Sequence, residues 1–285
     1  KFIGWETSGD VTLADATAVE TTISNITGSG STVTAKFQVD EPNSDFYLAG
    51  FSTMTSNSWG TNDDNRFIRT DGPNGEMKLT RFVFAGTTEF RVRYYTEGAA
   101  DTWYGANGGS ITDKTSHFVV KDGENNVSFT ATESQLYEFT ITVGAGWGEM
   151  DLAVRTLTET ELDAWVPAPT TIKGAQFSSI CSPVDVIVNA PDGGSVWYVS
   201  GWTQTSVTLT EVSKTDGVTK IKAGEGFILM GKTGDVFTYT RTTGAPSVSG
   251  NNLRGRVHKT WYAQDAILVL TTDDNFKKNN EGVFG

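Results

Sequence analysis

Short runs of alternating apolar and polar residues are the feature that most constrains the fold of this chain. Residues 32–39 (TVTAKFQV) alternate strictly, and a period of two residues is typical of a strand with one buried face. Turn sequences such as Asp192-Gly193-Gly194 and Thr215-Asp216-Gly217 separate runs of this kind. Because β-branched residues are also frequent in these runs, the chain is predicted to be all-β.

One helical segment divides the strand pattern into two parts. Thr158 and Glu161 have the spacing of a capping box, and prolines follow at 167 and 169. We therefore predict a first domain over residues 1–157 with an N-terminal extension, a short helix and proline-containing linker over 158–171, and a second antiparallel all-β domain over 172–285. The short strands of the first domain fit an antiparallel β-sandwich.

Composition and charge limit the partners that this chain can have. The formal net charge of −12 disfavours binding to phosphate backbones and anionic lipid surfaces, so neither nucleic acid nor membrane insertion is expected. With 37% hydrophobic and 20% charged residues, the chain is expected to fold. Neutral glycans remain compatible with such an acidic protein.

The sequence offers no convincing catalytic set, and we predict neither an enzyme nor a cofactor. His117 and His258 are the only histidines and stand in unrelated contexts, while the single cysteine, Cys181, lies in an apolar run that favours burial. Nucleophile elbows, zinc-spaced histidines and phosphate loops are absent from the sequence. Glu149 and Asp151 leave open one alternative, a glycosidase-like carboxylate pair.

The acidic run at residues 62–65 (NDDN) also carries no metal prediction. Calcium needs several oxygen ligands, but the run lacks the spaced ligand loop and the terminal bidentate glutamate of an EF-hand. We interpret it as a solvated turn.

Aromatic and basic residues alternate in the segment that ends at residue 95. Residues 90, 92 and 94 (Phe, Val, Tyr) are expected to face the core, which leaves Arg91, Arg93 and Tyr95 on the accessible face. Trp103-Tyr104-Gly105 follows in a glycine-rich stretch, and Trp59 lies in a polar loop. Flat rings beside hydrogen-bond donors suit sugars, because the rings stack on C–H faces while the donors bind hydroxyls.

Two further tryptophans have weaker indications. Trp147 stands between Gly146 and Gly148 and is interpreted as a packing or turn residue. Trp202 follows residues 200–201 (SG) in an expected hairpin and is a candidate for a second exposed patch.

Residues 44–156 carry a resemblance to a known family. The blocks that support it, in order, are residues 46–50 (FYLAG), Trp59, 81–86 (RFVFAG), 89–92 (EFRV), 103–109 (WYGANGG), 137–143 (YEFTITV) and 150–154 (MDLAV). Their order resembles the tandem modules of the SusE/SusF-type outer-surface starch-binding lipoproteins of Bacteroidetes. This resemblance implies an immunoglobulin-like β-sandwich that binds oligosaccharides through aromatic platforms and a basic residue. It assigns ligand binding to Trp59, Arg91, Arg93, Trp103 and Tyr104, and strand alternation adds Tyr95.

Residues 172–285 are similar to a β module found near the C-terminus of many secreted and cell-surface proteins of the same bacteria. The blocks are residues 177–184 (FSSICSPV), 197–201 (WYVSG), 208–212 (TLTEV), 221–229 (IKAGEGFIL) and 251–255 (NNLRG). That module continues for at least one further strand past a segment like residues 281–285 (EGVFG). The second domain is therefore expected to be incomplete at its C-terminus.

Together these features predict a non-catalytic carbohydrate-binding protein, secreted or on the outer cell surface, whose partner is an oligosaccharide or polysaccharide. The alternative is a structural or adhesive surface-fibre subunit that assembles by β-strand exchange and self-associates through edge strands.

Overall fold

The computed structural model of this chain describes residues 2–25, 30–37, 43–50, 63–70, 76–95, 98–106, 110–112, 115–173, 176–203, 206–253, 255, 257, 260–262, 268–270, 276–278 and 282–284. It is 55% strand and 4% helix, which confirms the all-β prediction. None of the helices in these ranges is long and apolar enough to cross a membrane.

The chain forms two compact units, residues 1–43 and 44–285. In the first unit, strand β1 (Phe2–Ser8) pairs antiparallel with β4 (Thr32–Phe37), and β2 (Thr12–Leu13) pairs with β3 (Ile23–Ser24). The indole Nε1 of Trp5 donates a hydrogen bond of 2.9 Å to the carbonyl of Ala18. This contact ties β1 to the loop that joins β2 and β3.

The second unit begins with a ten-stranded sheet. Its strands are β5 (Asn43–Ala49), β6 (Arg66–Arg69), β7 (Glu76–Val83), β8 (Gly86–Tyr94), β9 (Thr102–Ala106), β10 (Ser110–Thr112), β11 (Thr115–Lys121), β12 (Val127–Ala131), β13 (Gln135–Val143) and β14 (Glu149–Thr156). Eight of them follow one another in the order β8-β5-β6-β7-β13-β14-β11-β9, and a β8–β9 pairing closes the ring. β12 pairs with the N-terminal residues of β8, and β10 lies parallel to β12.

This barrel-like sheet corrects the expectation of a sandwich for the first region. Strand β8 is nine residues long and pairs with β5 on one edge and with both β12 and β9 on the other. The β8–β9 pairing joins the two ends of the eight-strand order, as in a barrel. The region is therefore barrel-like rather than a clear immunoglobulin-like sandwich.

Alternating residues of each barrel strand fill the interior. On β8, Phe90 and Val92 are fully buried and Tyr94 packs against the same core, which confirms the predicted alternation of this strand. They meet buried residues of other strands, such as Phe139 and Leu152. The opposite face of β8 is thereby left toward solvent.

A short helix, α1 (Glu159–Asp163), follows β14, and the predicted capping box is present. The backbone N–H of Thr158 donates to Glu161 Oε2 at 2.7 Å, and the N–H of Glu161 donates to Thr158 Oγ1 at 3.4 Å. The guanidinium of Arg155 donates to both carboxylate oxygens of Glu161, at 2.9 and 2.8 Å. These contacts hold the pKa of the Glu161 carboxyl well below its usual range, with the Arg155 hydrogen bonds as the largest cause.

Two four-stranded sheets follow the helix. They contain β15 (Thr170–Thr171), β16 (Phe177–Cys181), β17 (Val186–Asn189), β18 (Ser195–Trp202), β19 (Val207–Glu211), β20 (Thr219–Ile221), β21 (Gly226–Met230) and β22 (Val236–Arg241). The orders are β15-β22-β17-β20 and β16-β21-β18-β19. Phe237 of the first sheet and Phe227 of the second belong to one apolar core. Phe82 and Leu136, from the outer side of the barrel, belong to the same core.

Four short strands end the described chain. β23 (Thr260–Tyr262) pairs antiparallel with β26 (Gly282–Phe284), and β24 (Leu268–Leu270) pairs with β25 (Phe276–Lys278). Within the ranges given above, these strands pair only with one another.

Candidate functional site

The outer face of β8 brings several predicted site residues together. Arg93 lies opposite Tyr47 of β5 on one side and opposite Trp103 of β9 on the other. Residues directly opposite in a sheet share a face, so Arg93 and Trp103 point the same way. Tyr95, two residues past Arg93, lies at the end of this row.

Arg93 is the centre of a compact group of side chains. Its guanidinium carbon lies 5.2 Å from the ring centroid of Trp103 and 5.8 Å from that of Tyr95, within the range of a cation–π interaction. Its Nε donates a 2.9 Å hydrogen bond to Asp101 Oδ2, and Nη2 donates to the same oxygen. Arg93, Tyr95, Asp101 and Trp103 are called the β8–β9 cluster below.

The cluster combines a shielded ion pair with accessible rings. The side chains of Arg93 and Asp101 are only 17% and 19% exposed, whereas Tyr95 is 36% exposed and Trp103 is half-buried. A charge-assisted hydrogen bond in such a position fixes the geometry of both partners. The described hydrogen bonds from Arg93 both go to Oδ2, and a carboxylate oxygen such as Oδ1 can accept hydrogen bonds from a ligand. The cluster can therefore present ring surface and a polar group in a fixed arrangement.

Arg91 lies on the predicted face but has a different task. Its Nε donates to Asn126 Oδ1 at 3.0 Å, and its Nη2 donates to the carbonyl of Glu124. Asn126 in turn donates to Glu89 Oε2 at 3.2 Å. Arg91 thus holds the turn that joins β11 to β12, and we assign it a positioning role beside the cluster.

The glycine in Trp103-Tyr104-Gly105 is required by a close approach of backbones. A Cβ at Gly105 would lie 2.5 Å from the carbonyl oxygen of Asn125 and 2.6 Å from that of Gly123. The N–H of Asp122 donates to the carbonyl of Trp103 at 2.7 Å. The turn that joins β11 to β12 therefore holds β9 in place and supports Trp103.

Tyr104 was expected to bind sugar hydroxyls, and the structure corrects this. It lies opposite the buried Val92 and is itself only 1% exposed, because on β9 the alternation that turns Trp103 outward turns Tyr104 inward. Its hydroxyl donates a 2.9 Å hydrogen bond to the carbonyl of Trp147, and burial raises its pKa. Tyr104 is a core residue with an internal hydrogen bond.

Other predicted positions stand as follows. Trp59 lies outside the described residues, and its predicted role stays a prediction. Asp63–Asn65 form a 3₁₀ turn, in which the carbonyl of Asp64 accepts a 2.9 Å hydrogen bond from Arg81. Across the part of the chain that the structure describes, no group of three or more His, Cys, Asp or Glu side chains is placed to hold a metal ion.

Two residues matter more than the sequence analysis indicated. Asp101 was not among the predicted site residues, although its spacing of two from Trp103 places it on the same face. Trp147 is in a turn and packs on other rings, as expected, but it is also 44% exposed. The predicted exposure of Trp202 is confirmed at 60%.

Comparison of the chain with models of protein families, with curated proteins and with solved structures found no match.

Proposed function

We propose that this protein is a non-catalytic carbohydrate-binding protein of the outer cell surface or the extracellular space. The observation that carries the proposal is the Arg93–Asp101 ion pair, held between the rings of Tyr95 and Trp103 on the solvent side of the barrel. The resemblance of residues 44–156 to SusE/SusF-type modules of Bacteroidetes supports the same function.

The four side chains have complementary tasks in this proposal. A pyranose ring stacks its C–H face on the solvent-exposed parts of the Tyr95 and Trp103 rings. Its hydroxyls donate to Asp101 Oδ1 and accept from the Arg93 guanidinium. Because Arg93 and Asp101 already restrain each other, binding loses less side-chain entropy than it would with free side chains.

The expected affinity is modest. By analogy with stacking of nucleic-acid bases, each ring contributes about 1–3 kcal/mol. Two rings then give about 2–6 kcal/mol, which corresponds to dissociation constants from tens of micromolar upward. Binding of a polymer with repeated sugar units gains further from avidity.

Charge selects among glycans. The protein carries a net charge of −12, and the positive charge of Arg93 is matched by Asp101. Polyanionic glycans would meet long-range repulsion. We therefore propose neutral oligo- or polysaccharides as the ligand class.

The carboxylate of the cluster fits binding better than hydrolysis. A glycosidase needs two carboxyl groups, one on each side of the scissile bond. Asp101 instead accepts two hydrogen bonds from Arg93, which suits a fixed acceptor for hydroxyl groups. This geometry favours retention of the sugar without cleavage.

A glycan array on the wild-type protein and on Trp103→Ala, followed by calorimetric titration of the best ligand, tests the proposal. We expect the wild type to bind neutral glycans and Trp103→Ala to lose at least about 5-fold in affinity. Trp202→Ala, which removes an exposed tryptophan elsewhere, should bind like the wild type. Unchanged binding by Trp103→Ala would remove the β8–β9 cluster as the site.

One observation favours the second candidate, a structural or adhesive subunit that assembles by strand exchange. In the described ranges, the strands β23 to β26 pair only with one another. Unpaired strand edges can add a strand from another chain. Size-exclusion chromatography with light scattering separates the two functions: a ladder of oligomers supports the fibre subunit, and a single monomer peak supports the binding protein.

A further inference from the structure

We propose that Trp147 is a second aromatic contact for the glycan, and that its backbone conformation serves to present the ring. This inference rests on the proposed function and adds a subsite to it. Trp147 is 44% exposed and ends the 3₁₀ turn Ala145–Trp147 at the end of the barrel. Its φ of 58° lies in the left-handed region, which is rare for a bulky residue.

The backbone of Trp147 is fixed from two directions. The buried Tyr104 hydroxyl donates a 2.9 Å hydrogen bond to its carbonyl, and its own N–H donates to the carbonyl of Gly144 at 3.2 Å. The phenol of Tyr104 belongs to the barrel core. The core therefore determines where this turn, and with it the indole, is placed.

One part of the indole rests on the barrel and the rest faces solvent. Its ring centroid lies 5.7 Å from that of Phe46 and 5.2 Å from that of Tyr94, the latter with the rings nearly perpendicular. A Cβ added at either Gly146 or Gly148 would meet no atom within 4 Å. The described residues thus leave room beside these two glycines, and Trp147 itself is 44% exposed.

The left-handed backbone conformation of Trp147 indicates that its indole has a function. Glycine adopts this conformation without a steric penalty, and asparagine adopts it more readily than most residues. Gly146, one residue earlier, also has a positive φ of 77°. A turn alone would need only a small residue at position 147, and the packing on Phe46 and Tyr94 uses only part of the indole, so the tryptophan indicates a task for its exposed part.

Trp147 and the β8–β9 cluster both lie near the end of β11, but on different faces: the indole packs on Phe46 and Tyr94 of the core face, whereas the cluster lies on the outer face. The end of β11 separates them: Asp122 N–H donates to the carbonyl of Trp103, and Lys121 N–H donates to the carbonyl of Gly148. Strands in a sheet are about 4.8 Å apart, so the backbones on either side of β11 are about 10 Å apart. An oligosaccharide that passes around this end of the barrel then contacts both tryptophans, whereas a single sugar ring contacts one of them.

Chain-length dependence of binding tests this inference. For Trp147→Gly, we expect affinity for the longest glycan identified on the array to fall about 5-fold or more, while affinity for its monosaccharide stays unchanged. Trp147→Phe keeps an aromatic ring, so its affinity for the longest glycan should lie close to that of the wild type. Trp202→Ala is the matched control and should behave like the wild type with both ligands.

The outcomes separate this inference from the proposed function. Equal binding of the long glycan by Trp147→Gly and wild type, with binding lost in Trp103→Ala, overturns the Trp147 subsite alone. Absence of glycan binding by the wild type overturns both. Circular dichroism checks folding, and Trp147→Asn, which tolerates the same backbone conformation, replaces the glycine variant where that variant does not fold.

Discussion

Two exposed tryptophans of this protein differ in what surrounds them. Trp202 is 60% exposed at the end of β18, opposite Val207, in a hairpin whose turn is closed by hydroxyls of Thr203 and Ser206. Trp103 is less exposed, but a guanidinium lies 5.2 Å from its ring centroid and that guanidinium is bonded to Asp101.

Exposure alone therefore does not identify a binding site. Both rings offer apolar surface, but among the described contacts only Trp103 has charged neighbours, Arg93 and Asp101, that hold each other in place. A ligand at Trp103 meets polar groups that have lost their freedom in the free protein, so less entropy is lost on binding.

The largest expected effect concerns the support beneath Trp103. Tyr104→Ala should lower the free energy of unfolding by about 3–5 kcal/mol, because it removes a buried aromatic ring and leaves a cavity. Glycan binding should fall with it at temperatures where the variant begins to unfold. Urea denaturation measures the change, with Val207→Ala, the half-buried partner of Trp202, as the comparison. An equal loss of unfolding free energy in the two variants would show that Trp103 and Trp202 depend equally on the residues that support them.

Glycine substitutions compare the backbone packing near Trp103 with that near Trp202. Gly105→Ala should destabilise the protein by about 1–3 kcal/mol, because its Cβ would overlap backbone carbonyls of the turn beside β9. At Gly201, next to Trp202, the nearest atoms to an added Cβ belong to the Thr208 side chain at 3.8 Å. Gly201→Ala should therefore be tolerated. Thermal unfolding of both variants gives the difference, and a tolerated Gly105→Ala would contradict the close approach.

Removing the charge of Asp101 tests the ion pair. Asp101→Asn should weaken glycan binding by about 1–2 kcal/mol, because Arg93 loses its charged partner and the sugar loses a charged acceptor. Glu211→Gln, opposite Trp197 in the two-sheet region, removes an exposed carboxylate and should leave binding unchanged. Calorimetric titration measures both. A wild-type affinity in Asp101→Asn would assign the acceptor role elsewhere.

The smallest expected effect is a pH dependence. Burial raises the pKa of Tyr104, so the folded state favours the neutral phenol. This contribution is complete below about pH 10, the usual pKa of tyrosine, and is lost as the pH rises beyond it. Tyr104→Phe should cost about 1 kcal/mol at neutral pH through its lost hydrogen bond, and should flatten the alkaline fall in stability.

Tyr239 is the counterpart of Tyr104 in the two-sheet region and serves as its control. Burial also raises the pKa of Tyr239, although its hydrogen bond to Thr170 opposes the shift. Denaturation between pH 8 and 11 compares Tyr239→Phe with Tyr104→Phe. An alkaline fall that is unchanged in Tyr104→Phe would contradict the burial argument.

The sequence pattern predicted the features that depend only on residues close together in the chain. The alternation of residues 90–95 correctly separated the core face of β8 from Arg91, Arg93 and Tyr95. The capping box at Thr158 and Glu161 was also predicted, because its two hydrogen bonds join residues three apart. The same period of two, applied to β9, would have turned Tyr104 inward and added Asp101 to the site.

The sequence pattern within a strand does not predict which other strand it pairs with. Closure of the barrel depends on the β8–β9 pairing, and no feature within either strand specifies it. Arg81 shows a second limit: it occupies an interior position of β7, opposite Tyr137, and is fully buried. Charged residues are seldom buried in this way, and burial lowers the pKa of this guanidinium to about 10.

A crystal structure of the protein with the best glycan from the array shows whether a glycan binds on the β8–β9 cluster. We expect a sugar ring stacked on Tyr95 and Trp103, with a hydroxyl within hydrogen-bond distance of Asp101 Oδ1. A sugar bound at Trp202 instead, with the cluster empty, would contradict it.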